Sequence, residues 1–209
     1  TSLYPMQHGV QNNGLVLDDE FVTMAELFAQ EGYRTAGFVS TDAPLGGNVN
    51  QGFEVWDQYQ ADLSVEGGRK LYRPANETVD AALEWLAGVG ADEEFLLWIH
   101  VYDPHKPMQP PEGDVEHITY LVERDRERYV NELLARGVPA QRPAVVQDSI
   151  LYDAEIQYAD NELARVQEAM AASGMLEDSL WVVTSDHGQG LGAHDWYGHS
   201  TQIYNAQLW

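Results

Sequence analysis

The sequence contains no cysteine. No disulfide framework and no thiolate metal site can exist in these residues, and the redox compartment is left unspecified. Positive charge is scarce: 11 Lys and Arg stand against 34 Asp and Glu, a net charge of −23 with His neutral. So acidic a chain repels phosphate backbones, which argues against a nucleic-acid partner and against an anionic membrane surface. Solubility accounts for the charge, and so does a field that collects cations around a metal site. No apolar run approaches the roughly 18 residues of a membrane span. Neither an internal repeat nor a low-complexity tract is present. The first residue is Thr1 rather than Met, no leader pattern precedes it, and Gln207-Leu208-Trp209 carries no closing element, so both ends read as cut. Any export signal is then expected upstream, with a periplasmic or extracellular destination.

What is present alternates between helical and strand patterns. Thr23-Met24-Ala25-Glu26 fits a capping box, with Met24, Leu27 and Phe28 on one face behind it and Gly32 as a stop. Tyr33–Ser40 follows as a short apolar strand. A second helix is predicted from Asn76 as N-cap, with Val79, Ala82, Leu83 and Leu86 on one stripe. Phe95–Val101 is a nearly continuous apolar run, which suits a strand covered on both faces of a parallel sheet. The longest helix places Tyr152, Ile156, Ala159, Leu163, Val166 and Met170 on one face and ends at Gly174. Leu180–Ser185 reads as another buried strand. Helices alternating with apolar strands predict an α/β fold, a mostly parallel sheet with helices on both faces. Asp42–Gly52 reads as loop. Pro107–Pro111 with Asp114–Asp148 reads as an insertion, and Glu123–Arg136 within it as a charged surface helix.

In such sheets, sites form at the carboxyl ends of strands. Four of the seven histidines, His105, His187, His194 and His199, fall in the segments that follow the two later apolar runs. Asp186 and His187 are adjacent, and a carboxylate beside an imidazole suits a hard or borderline divalent cation. Gly188 permits the sharp turn that would aim both at one ion. Alone, Asp-His-Gly reads as a capped turn; its place after a strand, with a second His-bearing strand end available, favours the metal. His105 sits between Pro104 and Pro107, which restrict its backbone, and is a candidate general acid or a histidine bonded within its own turn. His199 is a candidate donor to a substrate oxygen or leaving group, or else a surface loop residue. His194 and, in the tight turn Tyr4–Val10, His8 read as structural.

These residues, taken in order, resemble the sulfatase family of the alkaline phosphatase superfamily, above all bacterial sulfatases and the similar phosphonate monoester and phosphodiester hydrolases. Thr1-Ser2-Leu3-Tyr4-Pro5, His8-Gly9-Val10 and Asn13-Gly14 resemble the stretch after its signature. Thr23–Phe28, Gly32–Ala36 and Gln51-Gly52-Phe53 continue it, and Asp103–Pro107, Tyr152–Ile156 and Thr184–Gly188 resemble its later blocks. The resemblance implies a catalytic domain over residues 1–209 with an insertion at about 112–148. It places the first strand upstream, with its two aspartate ligands, and the closing part of the domain downstream.

It further implies one divalent ion, calcium first with magnesium or manganese as alternatives, held in part by Asp186 and His187. The implied nucleophile is a formylglycine upstream of Thr1. His105 matches the histidine that contacts the ester and assists the leaving group. His199 stands where a basic residue, often Lys, binds the anion. Asn13 matches a substrate-binding polar residue of the phosphonate hydrolase branch. Ser2 replaces a usual Gly, and Gln189 a usual Glu. The implied reaction is hydrolysis of a small-molecule or saccharide sulfate ester. A phosphonate or phosphate ester hydrolase and a non-catalytic metal-binding relative are the alternatives. The 209 residues by themselves are expected to bind a divalent ion weakly and to turn over no ester.

Overall fold

In the computed structural model, residues 1–12, 14–41, 47–60, 72–90 and 92–199 are described. Asn13 and residues 42–46 of the expected loop lie outside them. The chain divides into two compact units, Thr1–Asp103 with Asn161–Glu177 and Pro104–Asp160 with Asp178–Trp209.

The first unit opens with a short helix, α1 (Pro5–His8), closed by Gly9 in the left-handed region. His8 serves this turn: its Nδ1 accepts from the Val10 N–H. Helix α2 (Met24–Gln30) starts at the expected capping box, with the Thr23 hydroxyl and the Glu26 carboxylate each accepting the other's backbone N–H. Its buried face, however, is Ala25 with half-buried Phe28; Met24 and Leu27 are exposed. Strand β1 (Arg34–Val39) follows, then β2 (Val55–Gln58), a short run that periodicity did not reveal. Helix α3 (Ala75–Leu86) begins after Pro74, which supplies no side-chain cap, so Asn76 lies inside the helix rather than at its cap. Thr78, Val79, Ala82 and Leu86 are buried along it.

Strand β3 (Phe95–His100) completes a three-stranded parallel sheet of order β2-β1-β3. β1 is central, with Gly37 in register with Trp56 on one side and Trp98 on the other. β3 is an edge of the described sheet and only partly buried, with Trp98 36% exposed. The expectation of a strand covered on both faces therefore fails, because apolar content does not by itself supply covering layers. Leu180–Ser185 departs further: the segment is not a strand, and Leu180, Val182 and Val183 are exposed. A β-strand exists only through pairing, and the described sheet consists of β2, β1 and β3.

Side chains alternate across the sheet. Ala36 and Phe38 point to the face covered by Ala82, with Trp85, Leu97 and Ile99 around them. The opposite face carries Trp56 and Trp98, whose ring centroids lie 5.6 Å apart, both packed on Phe53. Gly37 makes that cluster possible, since a Cβ there would lie 2.7 Å from the Trp56 ring.

In the second unit, α4 (Glu112–Arg124) and α5 (Arg126–Ala135) replace the single surface helix expected over 123–136. They break at Asp125, whose carboxylate caps α5 by accepting from the Arg128 N–H. These charged helices are amphipathic rather than solvated all round. Val122 and Leu133 join Val138, Ala140, Val145, Val146 and Ile150 in a buried core. Helix α6 (Pro143–Ser173) starts within the expected insertion. Its early buried residues include Val145, Val146, Ser149, Ile150, Ala154, Glu155 and Tyr158, while Ile156 is 44% exposed. The predicted stripe is out of phase there and in phase only later, where Ala159, Val166 and Met170 are buried. No described helix is long and apolar enough to cross a membrane.

The Trp56–Trp98 contact yields a test. Gly37→Ala should overpack the cluster and cost about 1–3 kcal/mol, read as a lowered urea midpoint with altered tryptophan fluorescence, whereas Gly113→Ala, with nothing near its Cβ, should leave the Trp environment unchanged.

Candidate active site

The second unit gathers His105, Asp186, His187 and His199. The His187 and His199 rings stack with centroids 4.2 Å apart, and the His105 ring meets His199 edge-on at 5.0 Å. Residues far apart in sequence thus form one imidazole cluster. His194 stands outside it, exposed in a 3₁₀ turn, Ala193–Asp195, with φ of 56°.

Two anchors hold the cluster. The first is Glu155 on α6, only 2% exposed, whose Oε1 accepts the backbone N–H of Gln109 and so ties the segment carrying His105 to the helix. The second is the loop that links His187 to His199. It folds back on itself: the Gly190 N–H donates to the Gly198 carbonyl, and the Gly192 N–H to the Trp196 carbonyl. Ala193 is buried in the core with Val145, Val146 and Ile150, and Leu191 packs against them. Arg142 donates to the Tyr197 hydroxyl at 3.0 Å. Gly192, at φ 92°, has no room for a side chain, because a Cβ would lie 3.0 Å from Pro139 and from the Tyr197 ring.

Hydrogen bonding assigns the ring protons. A carbonyl oxygen can only accept, so a ring nitrogen facing one must carry the hydrogen. His105 Nδ1 lies 2.6 Å from the Lys106 carbonyl, and His187 Nδ1 lies 2.9 Å from that of Gly188. In the neutral form of each ring, Nε2 then bears the lone pair. Asp186 Oδ1 accepts from the His187 N–H, and its Oδ2 lies 3.4 Å from His187 Nε2. Two ligands at right angles on one ion, with bonds of about 2.0–2.3 Å, stand roughly 3 Å apart. The pair therefore fits neighbouring positions on a single cation, and the Asp186 side chain is 83% exposed to receive it. Among the described residues no group of three or more His, Asp or Glu is placed to hold one ion.

The site's electrostatics follow from this crowding. Burial, then the neighbouring His187 and His105 rings, lower the His199 pKa below its usual value, against a smaller opposing pull from Asp186. On α6, burial and the charges of Asp153 and Asp186 raise the Tyr152 phenol. Beneath it, the Tyr129 hydroxyl donates to Asp153 Oδ2 at 2.7 Å, joining α5 to α6. Burial raises the Asp153 carboxyl, while Tyr129 and Arg136 pull it down.

Four of the five residues expected from sequence are thus described, and all four come together; Asn13 lies outside the described residues. Glu155, Gly192 and Gln189 were not anticipated as parts of the site. The block Tyr152–Ile156 and the departure of Gln189 from a usual Glu were signals for two of them, whereas the role of Gly192 depends on Pro139, distant in sequence.

The first unit, a parallel sheet with helices packed on it, is an α/β fold. The family described as Sulfatase matches residues 1–208, and the chain belongs to that family. It is 25% identical over 214 residues to the ulvan-active sulfatase of Formosa agariphila, covering 93% of this chain and 40% of that protein. To the arylsulfatase of Clostridium perfringens it is 23% identical over 145 residues, 63% of this chain and 30% of the relative. Among solved structures, the phosphonate monoester hydrolase of Agrobacterium radiobacter superposes with a TM-score of 0.66 at 17% identity, over 98% of this chain and 54% of that one. The chain therefore spans about half the length, or less, of the proteins it matches.

Two outcomes follow. Gly192→Ala should cost about 1–3 kcal/mol and separate the His187 and His199 rings, which histidine ring NMR shifts would report. Tyr129→Phe should cost about 1–3 kcal/mol at neutral pH. A carboxyl whose folded pKa is raised loses stability as pH rises from its unfolded toward its folded value. Removing a partner that lowers the Asp153 pKa extends that loss, so the deficit should shrink toward about pH 4. Urea midpoints at the two pH values check this.

Proposed function

We propose that the protein hydrolyses sulfate esters, with the site centred on Asp186, His187, His105 and His199. The observation that carries this reading is the convergence of three imidazoles and one carboxylate in a sulfatase-family chain. Asp186 Oδ2 and His187 Nε2 would hold a divalent ion, calcium first among the candidates. A formylglycine upstream of Thr1 and that ion, when present, supply the nucleophile and the positive charge that an acidic chain needs beside an anionic ester.

The chain's own residues do the rest. His187 is held in the tautomer that a metal ligand requires by its bond to the Gly188 carbonyl. His105, with its Nδ1 hydrogen committed to the Lys106 carbonyl, would donate from Nε2 as an imidazolium, passing that proton to the ester oxygen as the alcohol leaves and becoming the neutral ring. His199 lies against both rings and contacts the anion or the leaving group. Asn13 is proposed as a further substrate contact. The names of the relatives point to a polysaccharide or an aryl leaving group. Residues 1–209 are proposed as part of one catalytic domain, with the insertion at about 112–148 packed as α4 and α5.

The test is a parallel assay of the full-length, matured enzyme on an aryl sulfate, a sulfated saccharide, a phosphonate monoester and a phosphodiester. Sulfate turnover should dominate and fall at least about 100-fold in Asp186→Ala, with divalent-ion affinity weakened about 10–100-fold. Preference for the phosphonate monoester would replace the substrate class, and unchanged turnover in Asp186→Ala would remove Asp186 from the site. His105→Ala should lower kcat about 100-fold for a poor leaving group and far less for an activated aryl leaving group, because only the former needs the proton.

A further inference from the structure

Two of the three clustered imidazoles owe their tautomer to a main-chain carbonyl one residue on, Lys106 for His105 and Gly188 for His187. His199 is held differently, by a side chain. Its Nδ1 lies 2.9 Å from Gln189 Oε1, while Gln189 Nε2 donates to the Tyr197 carbonyl at 3.0 Å. These two bonds are not independent. A carbonyl cannot donate, so the Tyr197 oxygen must face the amide nitrogen, and that leaves the amide oxygen toward His199. An amide oxygen also cannot donate, so His199 Nδ1 must carry the hydrogen. The loop enforces the order, since Tyr197 is tied to Arg142 through its hydroxyl and Gly190 to the Gly198 carbonyl.

We infer that Gln189 is a positioning residue that locks His199 in the Nδ1–H tautomer, so that Nε2 is the nitrogen His199 presents to substrate. A neutral His199 then accepts a proton or a hydrogen bond at Nε2, and donates from that atom only as imidazolium. Histidine in solution prefers the opposite tautomer, so the lock is a property of the site. Its consequence for turnover rests on the reading of His199 given above; the tautomer itself does not.

The experiment is 15N NMR of histidine side chains in the labelled protein at about pH 8, where an ordinary imidazole is neutral. His199, assigned by its loss in His199→Gln, should show a protonated, pyrrole-type Nδ1 and a pyridine-type Nε2. In Gln189→Leu, which offers no acceptor, the two signals should exchange types or average. Gln189→Glu, which restores an acceptor oxygen, should return the Nδ1–H pattern. A pyrrole-type Nε2 in the unaltered protein overturns the assignment, as does an Nδ1–H pattern that survives in Gln189→Leu. Should the leucine variant fail to fold, the spectra of the unaltered and Gln189→Glu proteins still decide. In the full-length enzyme, Gln189→Leu should lower kcat about tenfold with KM changed less than about twofold. Absent sulfate hydrolysis with the tautomer as stated would sink only the proposed function; sulfate hydrolysis with a pyrrole-type Nε2 would sink only this inference.

Discussion

The site rests on a hydrophobic foot. Ala193, at the turn of the loop that carries His187 and His199, is buried among Val145, Val146 and Ile150 of α6, with Leu191 packed beside it. A loop has no ladder of its own to define its path, and polar contacts with water compete with every hydrogen bond it makes. Burial of an alanine and part of a leucine breaks that competition at one point. From there the close approaches follow: Gly192 must lie against Pro139 and Tyr197, where no side chain fits, and the return of the chain to Gly198 brings His199 back over His187.

Helix α6 is the other half of the same construction. It receives the loop's apolar foot near its start, anchors the His105 segment through Glu155, and meets α5 through the Tyr129–Asp153 bond. Placing a carboxylate such as Glu155 at 2% exposure is costly unless its oxygens are engaged, and a backbone N–H is an effective partner because it cannot rotate away. One face of α6 therefore serves both packing and placement. Its early buried positions combine apolar side chains with Ser149 and Glu155, whose polar atoms bond the Val145 carbonyl and the Gln109 N–H.

Within the cluster, chemistry is decided by which ring nitrogen is spoken for. Two backbone carbonyls and one amide oxygen take the Nδ1 hydrogens, so all three rings present the same nitrogen outward from those bonds. Crowding of the rings, with burial, lowers the His199 pKa and so favours its neutral form. The Asp186 carboxylate, with Oδ2 3.4 Å from His187 Nε2, lies beside them.

Much of this was legible in the residues alone. The capping box at Thr23 and Glu26, the apolar runs of β1 and β3, the four-and-three spacing of the later half of α6, and the crowding of histidines after two apolar runs are local patterns. Local patterns report local geometry. The chain could not announce that β1 sits between β2 and β3, that Leu180, Val182 and Val183 lie exposed, that Ile156 faces out, or that Glu155 holds the Gln109 N–H. Each of those depends on a surface or a hydrogen-bond partner supplied by residues distant along the chain. Periodicity carries no record of which distant residue will arrive to cover a face or accept a proton.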